Sequence, residues 1–302
     1  MEPLSRNIED YPEGIILPID KPYRWTSADV IRKVKFAAIR HFGKKNLKVG
    51  HAGTLDPLAT GILLVCIGPA TKRAEELQRS AKQYVAGVSF GATTPSYDLE
   101  KEIDRVFPLD GVSEESVRAM LPSFIGEQDQ VAPLFSAKSV DGVRAYETAR
   151  KLYKQGLPLD NTDILQANRI EIYDLQLLSY SRLADGTPAN LPLRSIPPTA
   201  SGSGPLPFTE PRVATGLPGV SSASGAERNN RIHVADISGY DLATAMVQVD
   251  CSKGTYIRAL ARDFGEALGS GAFLSSLRRT KNGGFGIEDA VTLDEALALL
   301  GE

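Results

Sequence analysis

The stretch from residue 50 to residue 61 reads Gly50-His51-Ala52-Gly53-Thr54-Leu55-Asp56-Pro57-Leu58-Ala59-Thr60-Gly61. Its glycines permit backbone conformations and close chain approaches that a Cβ would prevent. Pro57 fixes its own φ and biases Asp56 towards an extended conformation, so the sequence predicts a stiff loop here. This Asp56 loop leads into the apolar run 62–67, which is typical of a buried strand. An Asp-Pro pair on its own is common in ordinary turns and would not indicate a site.

Length and composition indicate a globular protein with a full-sized core. The 302 residues are 42% apolar and 24% charged, enough for one large domain or two ordinary ones. Cys66 and Cys251 lie in apolar, strand-like surroundings without metal-ligand spacing, so we expect reduced core residues in a cytoplasmic protein. Residues 1–13 form a polar tail without an apolar targeting core, and no apolar run of the sequence approaches membrane-spanning length.

Charge is distributed unevenly along the chain, although the net charge is only −3. Residues 21–51 contain nine lysines or arginines and a single carboxylate, Asp29, whereas residues 85–130 contain nine carboxylates and three cations. The basic stretch ends at the Asp56 loop. It predicts either a solvated helix surface or a surface that binds the phosphates of a nucleic acid.

Secondary-structure signals surround the loop. Thr26 and Asp29 have the spacing of a capping box, and Gly43 provides a stop, so we expect a helix over residues 28–41. Further predicted elements are a strand over 14–20, a helix over 74–80, a strand over 82–91, a helix over 113–121, a hairpin turn at Asp141-Gly142, a helix over 145–155, a strand over 170–180, a helix over 255–268 and a final helix after Thr292.

Residues 184–228 differ in character from the rest of the chain. These 45 residues contain eight prolines, six glycines and six serines, with no apolar period. Such a composition buries too little apolar area to offset the entropy of ordering. We therefore predict a flexible surface insertion that the fold does not need.

As a twelve-residue whole, the Asp56 loop resembles the catalytic motif of TruB-type tRNA pseudouridine synthases. Two other stretches resemble motifs of the same family. Residues 20–27 (Asp20-Lys21-Pro22-Tyr23-Arg24-Trp25-Thr26-Ser27) match its first motif, except that Arg24 stands where the family usually has glycine; residues 251–258 (Cys251-Ser252-Lys253-Gly254-Thr255-Tyr256-Ile257-Arg258) match a later one. The resemblance extends over residues 14–180 and 231–300.

The resemblance implies an α+β architecture, the pseudouridine synthase fold. Such a fold has a mixed, largely antiparallel sheet with flanking helices and a central RNA-binding cleft. We expect residues 1–13 to be a tail and residues 14–302 to form one catalytic domain, interrupted by the insertion at 184–228. Many family members continue into a small RNA-binding module of the PUA type, and the 302 residues end without one.

The resemblance also implies site residues. Asp56 takes the place of the family's catalytic aspartate, and Arg258 takes the place of the arginine that pairs with it. Tyr84 takes the place of the tyrosine that faces the target base and helps to remove its C5 proton. His51 is expected to fill the stack that the flipped base leaves, and Tyr256 and Leu277 to line the uridine pocket. The residues expected to contact RNA are Lys21, Lys33, Lys44, Lys48, Lys72, Lys138 and Arg144.

The implied reaction isomerises uridine 55 in the T-loop of tRNA to pseudouridine. It breaks the C1′–N1 bond, rotates the base and joins C1′ to C5, so it needs no oxidation, and no cofactor or metal is expected. Asp56 would act either as a nucleophile or as a base in a glycal route. We expect the protein to be a monomer that binds the T-stem and T-loop of tRNA.

Two other functions remain open from the sequence. One is an RNA-folding module without catalysis, which would not need Asp56, Tyr84 and Arg258 together. The other is an N-glycosidase, which would need a second carboxylate to activate water. Asp98 is the candidate for that carboxylate, although its position in a polar loop favours turn chemistry.

Overall fold

The computed structural model describes residues 3–135, 139–140, 143–144, 167–182 and 232–302 of the chain. The strands are β1 (Ile15–Lys21), β2 (Val49–Ala52), β3 (Thr60–Ile67), β4 (Lys82–Phe90), β5 (Ala92–Thr93), β6 (Arg105–Val106), β7 (Gly126–Gln130), β8 (Ser139–Val140), β9 (Val143–Arg144), β10 (Asn168–Arg182), β11 (Ala243–Cys251), β12 (Ala272–Asn282), β13 (Phe285–Gly286) and β14 (Val291–Thr292). The α-helices are α1 (Ser27–Phe42), α2 (Ala74–Arg79), α3 (Glu114–Met120), α4 (Ile257–Ala267) and α5 (Leu293–Leu299).

Ten of these strands form one mixed sheet in the order β14-β1-β3-β12-β4-β11-β10-β7, with β13 beside β12 and β2 beside β3. Its neighbours are antiparallel except for two parallel pairs, β1 with β14 and β3 with β12. Two short ladders, β5 with β6 and β8 with β9, lie outside the sheet. The α+β class and the largely antiparallel sheet expected from the sequence are therefore confirmed.

Helix α1 forms as its capping signals predict. Thr26 accepts a hydrogen bond from the Asp29 amide, the Asp29 carboxylate accepts one from the Thr26 amide, and Gly43 ends the helix in the left-handed conformation. Its buried stripe includes Val30, Val34 and Ala37, which join the main core beneath the sheet. The first residue of the helix, Ser27, donates a hydrogen bond to the Leu55 carbonyl, so the helix begins beside the Asp56 loop.

Strands β3 and β12 approach each other closely at Gly61, which lies opposite Arg279 in the parallel register. Gly61 has a φ of 95°, and a Cβ there would lie 2.2 Å from the carbonyl oxygen of Arg279. Only glycine fits this approach. The contact places the end of the Asp56 loop directly against β12, the strand that carries Leu277.

The other predicted elements agree with the structure within a few residues. The predicted hairpin is flanked by the paired strands β8 and β9, but its turn residues, the helix expected over 145–155 and the insertion 184–228 lie outside the described residues. Residues 232–240, which follow that insertion, contain no helix or strand. Within the described ranges, no helix has both the length and the apolar character needed to cross a bilayer.

Candidate active site

The centre of the candidate site is an ion pair between Asp56 and Arg258, which are 202 residues apart in the chain. The Arg258 Nε donates to Asp56 Oδ2 at 2.9 Å and its Nη2 to Asp56 Oδ1 at 3.2 Å. This two-point geometry fixes the plane of the carboxylate. The pair is unequal in exposure, because the Arg258 side chain is 6% exposed and that of Asp56 38%. The carboxylate therefore remains accessible while its partner is buried.

Two carbonyl oxygens hold Arg258 from its other side. Its Nη1 donates to Ser96 at 3.0 Å and its Nη2 to Phe135 at 2.9 Å, so three chain segments meet at one guanidinium. Burial by itself would lower the pKa of Arg258, but the carboxylates of Asp56, Asp98 and Glu100 raise it above its ordinary value. Arg258 is thus a permanently charged group with a fixed orientation.

Asp98 is a second carboxylate at this guanidinium, 3.7 Å from the Arg258 Nε. It also accepts hydrogen bonds from the Ser96 hydroxyl at 2.6 Å and from the Glu100 amide at 2.9 Å, which is the turn chemistry expected from the sequence. Burial raises the pKa of Asp98, and Arg258 opposes that shift. Burial also raises the pKa of the neighbouring Glu100 to about 7, with Asp98 as the next cause. Arg258 therefore interacts electrostatically with three carboxylates, those of Asp56, Asp98 and Glu100.

The Asp56 loop is held at Gly53 and Leu55 by side chains from other elements. Arg279 is 1% exposed, and its Nη2 donates to the Gly53 carbonyl at 3.1 Å. Ser27 both donates to the carbonyl of Leu55, at 3.0 Å, and accepts from its amide, at 2.9 Å. These bonds satisfy buried backbone groups that a loop cannot pair internally, so the position of Asp56 is determined by the surrounding fold.

Lys21 is also part of this support, which corrects its assignment as a residue that contacts RNA. Its side chain is fully buried, and its Nζ donates to the carbonyls of Pro22 at 2.9 Å, Trp25 at 2.5 Å and Pro57 at 3.1 Å. Burial lowers the pKa of Lys21 to about 7, while Asp56 and Asp20 act to raise it. An ammonium group enclosed in this way cannot reach a phosphate; it joins the turn at 22–25 to the Asp56 loop.

A cleft opens beside the ion pair, with an empty volume of about 290 Å³ that includes space open to solvent. Its lining among the described residues comes from the Asp56 loop, the Asp98 turn, α4 and β12: Asp56, Leu58, Ala59, Asp98, Arg258, Leu274, Ser275, Ser276 and Leu277. Asp56, Arg258 and Leu277, predicted from three separate stretches of sequence, are thus brought together.

Tyr84, His51 and Tyr256 lie outside that lining. Tyr84 is 8% exposed in β4, opposite Arg279, and burial raises the pKa of its hydroxyl, which is therefore protonated at neutral pH. His51 is in β2; burial, followed by Arg279, lowers its pKa, and its buried Nδ1 has no hydrogen-bond partner among the described residues. Tyr256 precedes α4 and is tied to Gln130 through its backbone amide and carbonyl.

The predicted RNA-contacting residues differ in environment. Lys33, Lys48 and Lys72 are exposed, and Lys44 is exposed but lies 3.2 Å from Glu9. Lys138 lies outside the described residues, and only the backbone of Arg144, in β9, is described. We use the name basic surface for the exposed lysines of the stretch 21–51 that form no ion pair within the described part of the chain: Lys33, Lys35, Lys45 and Lys48.

Sequence reasoning missed Arg279, Ser27 and the role of Lys21. For Lys21 a signal was present, because it alternates in register with Ile15, Leu17 and Ile19, the inward residues of β1. For Arg279 and Ser27 no local pattern indicates the role, since each contacts a residue of the Asp56 loop at least 28 positions away in the chain.

Comparison with protein families gives two matches. Residues 40–187 match the TruB family pseudouridylate synthase N-terminal domain, and residues 258–301 match the tRNA pseudouridylate synthase B C-terminal domain. Among curated proteins, the tRNA pseudouridine synthases B of Phocaeicola vulgatus and Bacteroides thetaiotaomicron are 39% and 40% identical. The alignments cover 94% and 93% of this chain and 92% and 91% of those proteins. The enzyme of the same name from Deinococcus radiodurans is 34% identical, over 92% of this chain and 77% of its own.

Solved structures with a similar fold include an archaeal box H/ACA sRNP Nop10–Cbf5 complex and a Cbf5–Nop10–Gar1 complex. The TM-scores are 0.52 and 0.55, with 21% and 22% sequence identity. The similarity covers 97% and 96% of this chain but only 56% of each of the matched chains. At this identity the likeness establishes the fold alone, and that fold agrees with the sheet described above.

Proposed function

The chain belongs to the TruB family of pseudouridylate synthases, and we propose that it is a tRNA pseudouridine synthase that isomerises uridine 55 in the T-loop. The observation that carries the proposal is the unequal ion pair, in which a partly exposed Asp56 is oriented by a buried Arg258 at the edge of the cleft. The names of relatives 39% and 40% identical over most of the chain support the same activity.

Asp56 is the residue that acts on the sugar. Its carboxylate is accessible from the cleft, and the two-point contact with Arg258 aims it, so a ribose carbon placed in the cleft would meet an oriented nucleophile or base. Both the nucleophilic and the glycal route use this geometry. Because Arg258 is itself held by the carbonyls of Ser96 and Phe135, little reorientation is needed during the reaction.

The target base has to leave its stack before it can enter the cleft. Flipping costs on the order of a few kcal/mol, and we assign compensating contacts to His51, Tyr256 and Leu277. The lowered pKa of His51 keeps its ring neutral, which suits stacking. We assign Tyr84, as the resemblance implies, to the face of the target base; burial raises the pKa of its hydroxyl.

The surrounding contacts with tRNA are assigned to the basic surface and Lys72. These exposed cations would bind phosphates of the T-stem and make the affinity dependent on salt. We also propose that the protein acts as a monomer in the cytoplasm, since it binds a soluble RNA.

An N-glycosidase is less well supported by the site. Asp98 is 5% exposed and already accepts two hydrogen bonds besides facing Arg258. Such a carboxylate has little capacity to activate a water molecule. Release of free uracil from the substrate would nevertheless favour this rival over isomerisation.

The proposal is tested with Asp56→Asn, Arg258→Lys and the double variant. Asp56→Asn should abolish tritium release from C5-labelled uridine in tRNA, yet leave tRNA binding within about tenfold, because it removes charge and nucleophilicity only. Arg258→Lys loses the planar fork and should lose most activity, and the double variant should be hardly worse than Asp56→Asn, since residues of one catalytic unit do not act additively.

The matched control is Asp129→Asn, which makes the same chemical change in an exposed carboxylate 3.5 Å from Arg169. It should retain full activity. Substantial turnover by Asp56→Asn would refute the assignment, and pseudouridine mapped at a position other than 55 would refute the proposed substrate site.

A further inference from the structure

Arg24 has a backbone conformation that an arginine rarely adopts. Its φ is 62°, in the left-handed region, where the Cβ of an L-residue approaches the following carbonyl. Glycine, which the family's first motif usually has at this position, adopts this conformation without that strain. Such an outlier persists only where the surrounding structure compensates for it and often marks a function. The side chain of Arg24 therefore has to make a contact that glycine would lack.

That contact joins Arg24 to the chain that follows the insertion. Its Nη2 donates to the carbonyl of Ile232 at 2.6 Å, across 208 residues of sequence. Its Nε is buried without a hydrogen-bond partner among the described residues, which is a further cost of placing the guanidinium here. The turn that carries Arg24 is itself bound on both sides by Lys21, which also holds Pro57. Arg24 is thus connected to the Asp56 loop through a single lysine.

Residues 232–240, which we call the strap, contact residues next to the carboxylates of the site. The amide of Ala235 donates to the Leu99 carbonyl at 2.8 Å, immediately next to Asp98. Val234 and Leu58 pack on the same small apolar cluster, which contains Leu99, Ala235, Ile237 and Phe273. Leu58 is two residues from Asp56 and also lines the cleft. The strap therefore supports the two loops that carry the carboxylates around Arg258.

We propose that Arg24 is a positioning residue that fastens the strap to the Asp56 loop and the Asp98 turn. It does not touch the substrate in this role. Its effect passes through Ile232 and the strap to Leu58 and Leu99, and so to the orientation of Asp56 and Asp98. The kinetic part of this inference rests on the proposed function, but the structural part does not.

The test compares Arg24→Gly with Arg24→Ala in the full chain. Both variants remove the clamp, but only glycine also removes the backbone strain, so Arg24→Gly should melt at a higher temperature than Arg24→Ala. In both variants, hydrogen exchange at the Ala235 amide should be about tenfold faster, because the strap opens more often. The single-turnover rate of pseudouridine formation should fall roughly three- to tenfold with KM changed less than about twofold, since orientation is lost and binding is not.

Unchanged exchange at Ala235 in both variants would overturn the inference, as would an unchanged rate in both. A rise in KM with an unchanged single-turnover rate would also overturn it, because Arg24 would then be an RNA contact. Hydrogen exchange does not depend on the activity. If the unaltered protein made no pseudouridine, the proposed function would fail while the exchange measurement would still decide whether Arg24 holds the strap.

Discussion

The Asp56 loop and the basic surface adjoin each other along the chain but are built in opposite ways. Lys21 and Lys33 are only twelve residues apart, yet Lys21 is fully buried against three carbonyls and Lys33 is exposed in α1 without an ion pair in the described ranges. Residues that contact the loop come from separate strands and helices, whereas the basic surface comes from one stretch of sequence. Chemistry on a ribose carbon needs fixed groups, while attraction of phosphates needs only charge at a surface.

The strongest contrast is expected between Lys21→Met and Lys33→Met. The first leaves three carbonyl oxygens without their donor and removes a charge beside Asp56, so the free energy of unfolding should fall by about 2 to 4 kcal/mol. The second alters an exposed position and should change it by less than about 0.5 kcal/mol. Urea denaturation of both variants is the measurement. Equal effects would show that the burial of Lys21 has no energetic consequence.

The pH dependence of stability should come from the buried titratable groups around the Asp56 loop. Burial raises the folded-state pKa of Glu100 to about 7, so the folded state holds a proton that the unfolded state has already released between pH 4.5 and 7. The unfolding free energy should therefore fall as pH rises through this window. Glu100→Gln should remove that slope and be more stable than the original by on the order of 2 kcal/mol at pH 8.

The control for Glu100 is Glu75→Gln, a carboxylate of α2 whose side chain is 77% exposed. It should leave the pH profile of stability unchanged. If Glu100→Gln also left it unchanged, Glu100 would be titrating at its ordinary value, and its burial beside Asp98 would carry no cost.

The basic surface should respond in binding and salt dependence, with stability unaffected. Changing Lys33 and Lys48 together to Gln should weaken tRNA affinity about tenfold at low salt and reduce the salt slope by nearly one for each lost phosphate contact. Arg118→Gln removes one positive charge from the acidic part of the chain and should leave the slope unchanged. A slope that does not change in the double variant would place the RNA on another surface.

The smallest effect is expected from the insertion. Arg182, at the end of β10, pairs in register with Ala243, so the chain leaves the sheet and returns to it at adjacent positions. Replacing residues 184–228 with a short Gly-Ser linker, while keeping the strap, should leave activity within a few-fold and stability nearly unchanged, because loop-closure entropy varies slowly with length. Lost folding or lost tRNA binding would show that these residues are structural or contact RNA.

Local signals were sufficient for much of this molecule. The capping box of α1, the stop at Gly43 and the helix start at Thr292 predicted helices that the structure contains. Resemblance to a family added Asp56, Arg258 and Leu277, which the structure brings to one cleft. These features were predictable because each depends on residues within one turn, one strand or one motif.

The sequence by itself was sufficient to identify the Asp56 loop, Arg258 in the motif that follows β11, and the concentration of positive charge next to the loop. Only the tertiary structure decided that Lys21 donates to Pro57 of the loop, that Asp98 joins Asp56 at one guanidinium, and that Arg24 takes a glycine-like conformation to hold the strap. The physical reason is the distance along the chain over which each kind of interaction acts. Capping, alternation and turn chemistry act over a few residues, whereas the burial and pairing of a charge depend on which distant strands the sheet register places beside it.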